Sequence, residues 1–293
     1  MRNSKMKALL VLVTAVLLAM LLTFIAQSGH NNLPELSTFA ICAIVTFVIQ
    51  WCVFIPSYLL KTERVYDLTG SLTFIIVIFV AINSQQTVSI TSILLAAMVV
   101  AWAARLGTFL FLRINNTGVD GRFDDIKPDK YRFFSAWTLQ GLWILIMASA
   151  ALTVISSPQA ARIDALTLVG VAIWLIGFAI EVIADQQKTR FKQDPLNQGQ
   201  FIQTGLWAYS RHPNYFGEIV LWIGVAIAAY PALEGWQLIT LSSPLFIILL
   251  LTKVSGIPML EKRADEKWAN NPDYQKYITT TPVLIPRINC RWG

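Results

Sequence analysis

The sequence has only two histidines, His30 and His212, and they lie far apart, so a histidine-rich metal centre is not expected. Its three cysteines are as sparse: Cys42 and Cys52 fall inside an apolar run, Cys290 is near the end, and no CxxC spacing occurs. Neither a disulfide framework nor a cysteine-ligated metal follows from such a set. Charge is scarce too, at 14% of residues against 55% hydrophobic. No soluble domain of 293 residues could bury that much apolar surface. Internal repeats and low-complexity stretches are absent, which removes support for an inverted-repeat transporter. The net charge of +6 is distributed in short segments between apolar runs, so no compact basic domain exists to bind nucleic acid.

What is present is a series of apolar runs of about 17 to 25 residues, the length a helix needs to cross a bilayer while pairing its own backbone groups. Eight are expected, near 7–27, 36–60, 67–83, 88–112, 133–156, 164–186, 215–231 and 236–255. The first follows Arg2, Lys5 and Lys7 as a signal peptide would, but the stretch from Ala8 to Ala26 is long enough to span and no small-residue cleavage pattern follows it. With the N-terminus inside, every Lys and Arg of the 23 except Arg162 and Arg105 falls in a cytoplasmic segment. The reading is an all-α integral membrane protein of about eight spanning helices with both ends in the cytoplasm. Residues 1–60 form two N-terminal helices without an assigned role, and 61–293 form the domain that carries a site. Because the long polar segments 113–132, 187–214 and the tail from 256 share the cytoplasmic face, the site is expected there.

Ionisable groups inside spans cost about 2.5 to 3.5 kcal/mol on insertion scales, so each needs a partner or a cavity. Asp67 follows Tyr66 at the cytoplasmic start of the third helix, and Arg105 lies inside the fourth on the face of Trp102 and Phe109. An anchor in the headgroup region with a snorkelling or paired Arg105 is one reading, and a polar cavity open to the cytoplasm is the other. At the end of the sixth helix Glu181, Asp185, Lys188 and Lys192 recur at helical spacing, which suits either a solvated helix end or a set holding hydroxyls and phosphates. The run Gly205-Leu-Trp-Ala-Tyr209-Ser-Arg211-His212-Pro213-Asn214-Tyr-Phe-Gly217-Glu218 leads into the seventh helix. Pro213 suits a first turn, Asn214 and Glu218 then share a face, and Gly217 leaves room for close approach. A capped helix with one buried carboxylate would use the same residue types.

The stretch from Glu181 to Glu218, with Arg190-Phe-Lys192 and Asp194-Pro, closely resembles the DUF1295 family of bacterial membrane proteins, related to steroid 5-alpha-reductases. Arg105-Leu-Gly, Leu139-Gln140-Gly141 and Val254-Ser-Gly-Ile-Pro-Met-Leu-Glu-Lys-Arg263 extend the resemblance over about residues 60–290. It implies a helical reductase of the bacterial inner membrane that binds NADPH, or NADH, from the cytoplasmic side. The reaction implied is reduction of a carbon-carbon double bond conjugated to a carbonyl in a lipophilic substrate, with membrane lipid as the surroundings and no protein partner indicated. By position, Asn214, Gly217, Glu218, Asp185 and Lys192 match cofactor-contacting residues, with Glu181, Arg190, Tyr209, Arg211 and His212 grouped with them. Asp67 falls where the steroid reductases carry a catalytic Glu, with Tyr66 and Arg105 as its companions. Tyr66-Asp67 replaces a Gln-Glu pair and the fourth helix lacks the expected Tyr, so a steroid is not implied as the substrate.

Arg211-His212-Pro213 with a following Tyr and Gly is also shared with S-adenosylmethionine-dependent membrane methyltransferases of the isoprenylcysteine carboxyl or phospholipid type. Asn214 together with Glu218 after Gly217 is similar to the reductases instead. A non-enzymatic lipid-binding protein is the third reading.

Overall fold

The computed structural model describes residues 2–28, 36–117, 121–157 and 162–287; His30 and Cys290 lie outside the described residues. Every regular element among them is helical, and eight helical segments are long and apolar enough to cross a membrane. The chain is therefore an integral membrane protein, as its composition requires. The long helices are α1 (Arg2–Gln27), α2 (Thr38–Leu59), α3 (Tyr66–Asn83), α4 (Ile90–Thr117), α5 (Lys130–Ile155), α6 (Ala165–Gln193) and α7 (Pro213–Ala229). The eighth span, Gly235–Trp268, is not the single regular helix expected over 236–255. It runs as a 3-10 segment at Gly235–Ser242, α8 (Ser243–Leu249), a widened π turn at Leu250–Val254 closed by Ser255 N donating to Leu250 O, and α9 (Gly256–Trp268). A short α10 (Pro272–Thr280) follows. Helix α6 also continues past the expected residue 186, so Lys188, Arg190 and Lys192 are helical.

The chain divides into two compact units, Met1–Leu168 with Val225–Ser243, and Val169–Gly224 with Pro244–Gly293. In the first, α5 is the central helix: 83% of its apolar window is buried, against 22% for α1. The cause is its small residues Ala148, Ser149, Ala150 and Ala151, which let neighbours approach where lipid offers no hydrophobic drive to association. The Ser149 hydroxyl donates to Thr240 O at 3.1 Å. Asp129 starts α5 by accepting from the Tyr131 and Arg132 amides. Amide side chains fix α3: Gln50 Nε2 donates to Thr73 Oγ1 at 3.1 Å, and Gln140 Nε2 to Tyr66 O at 3.2 Å.

In the second unit α6 and α7 meet through glycines spaced seven residues apart, Gly170 and Gly177 on one, Gly217 and Gly224 on the other. A Cβ on Gly217 would lie 2.6 Å from Glu181 N and 2.7 Å from Gly177 O, and one on Gly177 would lie 2.4 Å from Leu221 N. The two backbones are thus in direct contact, and glycine is the residue that permits it.

Candidate functional site

That glycine contact brings the acidic end of α6 against the start of α7. Asn214 Nδ2 donates to Asp185 Oδ1 at 3.2 Å, joining two residues singled out from the sequence. Glu181, Asp185 and Glu218 are all buried, at 2, 5 and 9% exposure, so the expected stripe is no solvated helix end on its acidic side. Its basic side behaves differently. Lys188 is half-buried with its ammonium 4.4 Å from the centre of the Trp207 ring, whereas Arg190 and Lys192 are exposed. The Gly205–Ala208 turn is clamped to α6 because Trp207 Nε1 donates to Ala184 O and Leu206 N to Gln187 Oε1. Gly205 needs to be glycine there, with φ of +61° and the Gln187 amide 2.6 Å from where a Cβ would stand.

Arg211 and His212 share one carboxylate, that of Glu261 on α9: Arg211 Nη1 lies 3.2 Å from Oε2 and His212 Nε2 3.0 Å from Oε1. The imidazole stacks on Tyr215 at 5.7 Å between ring centres. Burial holds the His212 pKa below its ordinary value; Glu261 acts in the opposite direction, and Lys188 and Arg211 add to the lowering. Tyr209 is exposed, and its backbone ties it locally, the amide donating to Leu206 O at 3.1 Å and the carbonyl accepting from Arg287 N at 3.2 Å. Nearby, Tyr277 donates its hydroxyl to Trp207 O and Tyr274 to Asp265 Oδ1, both at 2.7 Å; burial pushes both phenols above their ordinary range.

The Asp67 group belongs to the first unit. Asp67 sits in the first turn of α3, and its Oδ2 receives Arg122 Nη2 at 2.7 Å. A second ion pair, Lys127 to Glu63 at 2.5 Å, ties the same loop to the residues just before α3. Tyr66 is buried against Phe123 and Trp137, with its hydroxyl donated to Ala136 O at 2.9 Å. That commits the phenol proton to a backbone acceptor. The Arg105 guanidinium lies 5.3 Å from the Phe109 ring centre, one helical turn on, as their shared face requires.

Arg122 and Glu261 are functional partners that the sequence alone does not single out: Arg122 is one of several basic residues in a cytoplasmic loop, and Glu261 is one of several charged residues on its helix. The signal available for Glu261 was an acidic residue six positions after Ser255 on an amphipathic helix; nothing local pairs Arg122 with Asp67.

A family model described as a protein of unknown function, DUF1295, matches residues 51–281. The chain belongs to this family. Among curated proteins it is 35% identical over 121 residues to 3-oxo-5-alpha-steroid 4-dehydrogenase 1 of Rattus norvegicus, covering 41% of this chain and 40% of the relative. It is 28% identical over 118 residues to the protein of the same name from Bos taurus, covering 40% and 42%. An uncharacterized protein of Schizosaccharomyces pombe is 25% identical over 226 residues, covering 67% of this chain and 63% of the relative. The matched segments thus span about two-fifths of the length of these steroid dehydrogenases. No solved structure matches at a comparable level.

Proposed function

We propose that this DUF1295 protein is a membrane-embedded reductase that uses NADPH to reduce a carbon-carbon double bond conjugated to a carbonyl in a lipophilic, steroid-like or lipid substrate. The cofactor site and both chain ends face the cytoplasm. The observation that carries the reading is the hydrogen bond from Asn214 to the buried Asp185, with Glu181 and Glu218 on the same two helices and Lys188 and Arg211 in the same unit. Similarity to the steroid 4-dehydrogenases supports it.

The donor set fits a nicotinamide dinucleotide: buried carboxylates accept from ribose hydroxyls, and lysine and arginine neutralise phosphates. Asp185, Asn214 and Glu218 would hold the ribose side, with Lys188, Arg190, Lys192 and Arg211 on the phosphates. When bound, NADPH supplies the hydride. The chain then has to place the substrate's β carbon to receive it, set positive charge or a proton donor against the enolate oxygen, and exclude water. Asp67 is assigned to that polarising role with Arg105, and Arg122 joins them through its ion pair with Asp67. Tyr66 orients this end of α3 through its bond to Ala136.

Purified protein is expected to bind NADPH with an affinity that falls as salt is added. Asn214→Ala or Glu218→Ala should weaken binding tenfold or more, about 1.4 kcal/mol per tenfold. Tight S-adenosylmethionine binding without dinucleotide binding would overturn the assignment.

A further inference from the structure

His212 presents a buried polar atom that no described protein group satisfies. The residue is 6% exposed, its Nε2 is taken by Glu261, and its Nδ1 has no hydrogen-bond partner among the described residues. A carboxylate is an acceptor only, so the hydrogen shared with Glu261 belongs to Nε2. In the neutral ring the other nitrogen then carries a bare lone pair. Burial favours that neutral form, as do the cations facing the ring, Lys188 from α6 and Arg211 from the preceding loop; Glu261 on α9 opposes them. The ring cannot turn freely to exchange its nitrogens. Tyr215 is stacked on it, and the His212 amide donates to Ser210 Oγ, which in turn donates to Leu284 O at 2.8 Å. Glu261 is held as well, since Arg211 occupies its second oxygen.

We propose that Glu261 is a positioning residue that fixes His212 as a hydrogen-bond acceptor, through Nδ1, for a ribose hydroxyl or carboxamide N–H of the bound dinucleotide. This rests on the reductase reading above. His212 directly precedes the helix that bears Asn214 and Glu218, so its acceptor joins the carboxylates of the same unit. Arg211 supports the role from the far side of the carboxylate. Its own bond to Glu261 keeps the carboxylate in place, and Arg211→Lys would preserve the charge.

A double-mutant cycle on NADPH affinity tests the chain of action. His212→Ala and Glu261→Ala are each expected to weaken binding roughly tenfold, the size of one lost hydrogen bond at a buried group. The double variant should be no more than about twofold worse than either, because Glu261 acts through His212. Independent effects multiplying to about a hundredfold, or no effect of either change, would overturn the proposal. Acidification gives a second readout that survives if Glu261→Ala fails to fold. Protonation turns Nδ1 from acceptor to donor, so affinity should fall as pH drops below the ordinary histidine value of about 6.5. That step should be missing in His212→Ala and displaced to lower pH in Glu261→Gln, where the charge that raises the histidine is gone. Identical pH profiles in all three proteins would sink the idea. Failure of the unaltered protein to bind NADPH at any pH would instead remove the reductase reading itself.

Discussion

Replacing Asp67 by Asn is expected to lower turnover by about two to four powers of ten while NADPH affinity and the yield of folded protein hold. The substitution keeps the shape of the side chain and removes its charge. The ion pair with Arg122 at 2.7 Å adds a condition: carboxylate and guanidinium form one unit, so Arg122→Gln should lose turnover to a similar extent, and the two changes together should cost little more than either. A headgroup anchor behaves in the opposite way, with expression and stability suffering and turnover per folded molecule intact. Single-turnover rates on protein quantified by its bound NADPH separate the two outcomes. Near-normal turnover in Asp67→Asn would remove the residue from the chemistry and leave Arg105 as the candidate.

Gly217→Val is expected to abolish dinucleotide binding although no valine atom would need to touch the ligand. The atoms in the way are Glu181 N at 2.6 Å and Gly177 O at 2.7 Å, both backbone, so no rotamer change relieves the overlap. The helices must separate, and the Asp185–Asn214 bond goes with them. Even Gly217→Ala should cost about 1–3 kcal/mol of stability as overpacking. Gly177→Ala should behave alike, since its Cβ would strike Leu221 N at 2.4 Å. Thermal unfolding in detergent, followed beside NADPH binding, checks both. A fully stable Gly217→Val that still binds NADPH would show that the helices are not joined as described.

Hydropathy made the spans legible because a lipid solvent demands long uninterrupted helices, and eight such segments occur among the described residues. It could not read the eighth. Gly235–Trp268 contains a window apolar enough to span, yet its hydrogen bonds change from 3-10 to α to π along the way, and composition carries no record of that pattern. In the candidate site, what could be read was what repeats along one helix: Glu181 with Asp185, and Asn214 with Glu218. Asp67 with Arg122, and His212 with Glu261, join residues about fifty positions apart whose meeting depends on tertiary packing. Gly217 was noticed for its place in a motif, but its partner Gly177 lies in an apolar run where one glycine among leucines and isoleucines gives no sign of a backbone contact.

Hydride transfer from NADPH to an apolar substrate can be followed by isotope transfer. Purified protein in lipid nanodiscs would be supplied with a membrane lipid extract and a conjugated enone, once with NADPH tritiated at the transferable position and once with methyl-labelled S-adenosylmethionine. Tritium is expected in an apolar product, strongly reduced by Asp67→Asn and by Asn214→Ala, with no transfer of methyl label. Methyl label in the lipid fraction with no tritium transfer would contradict the reductase reading.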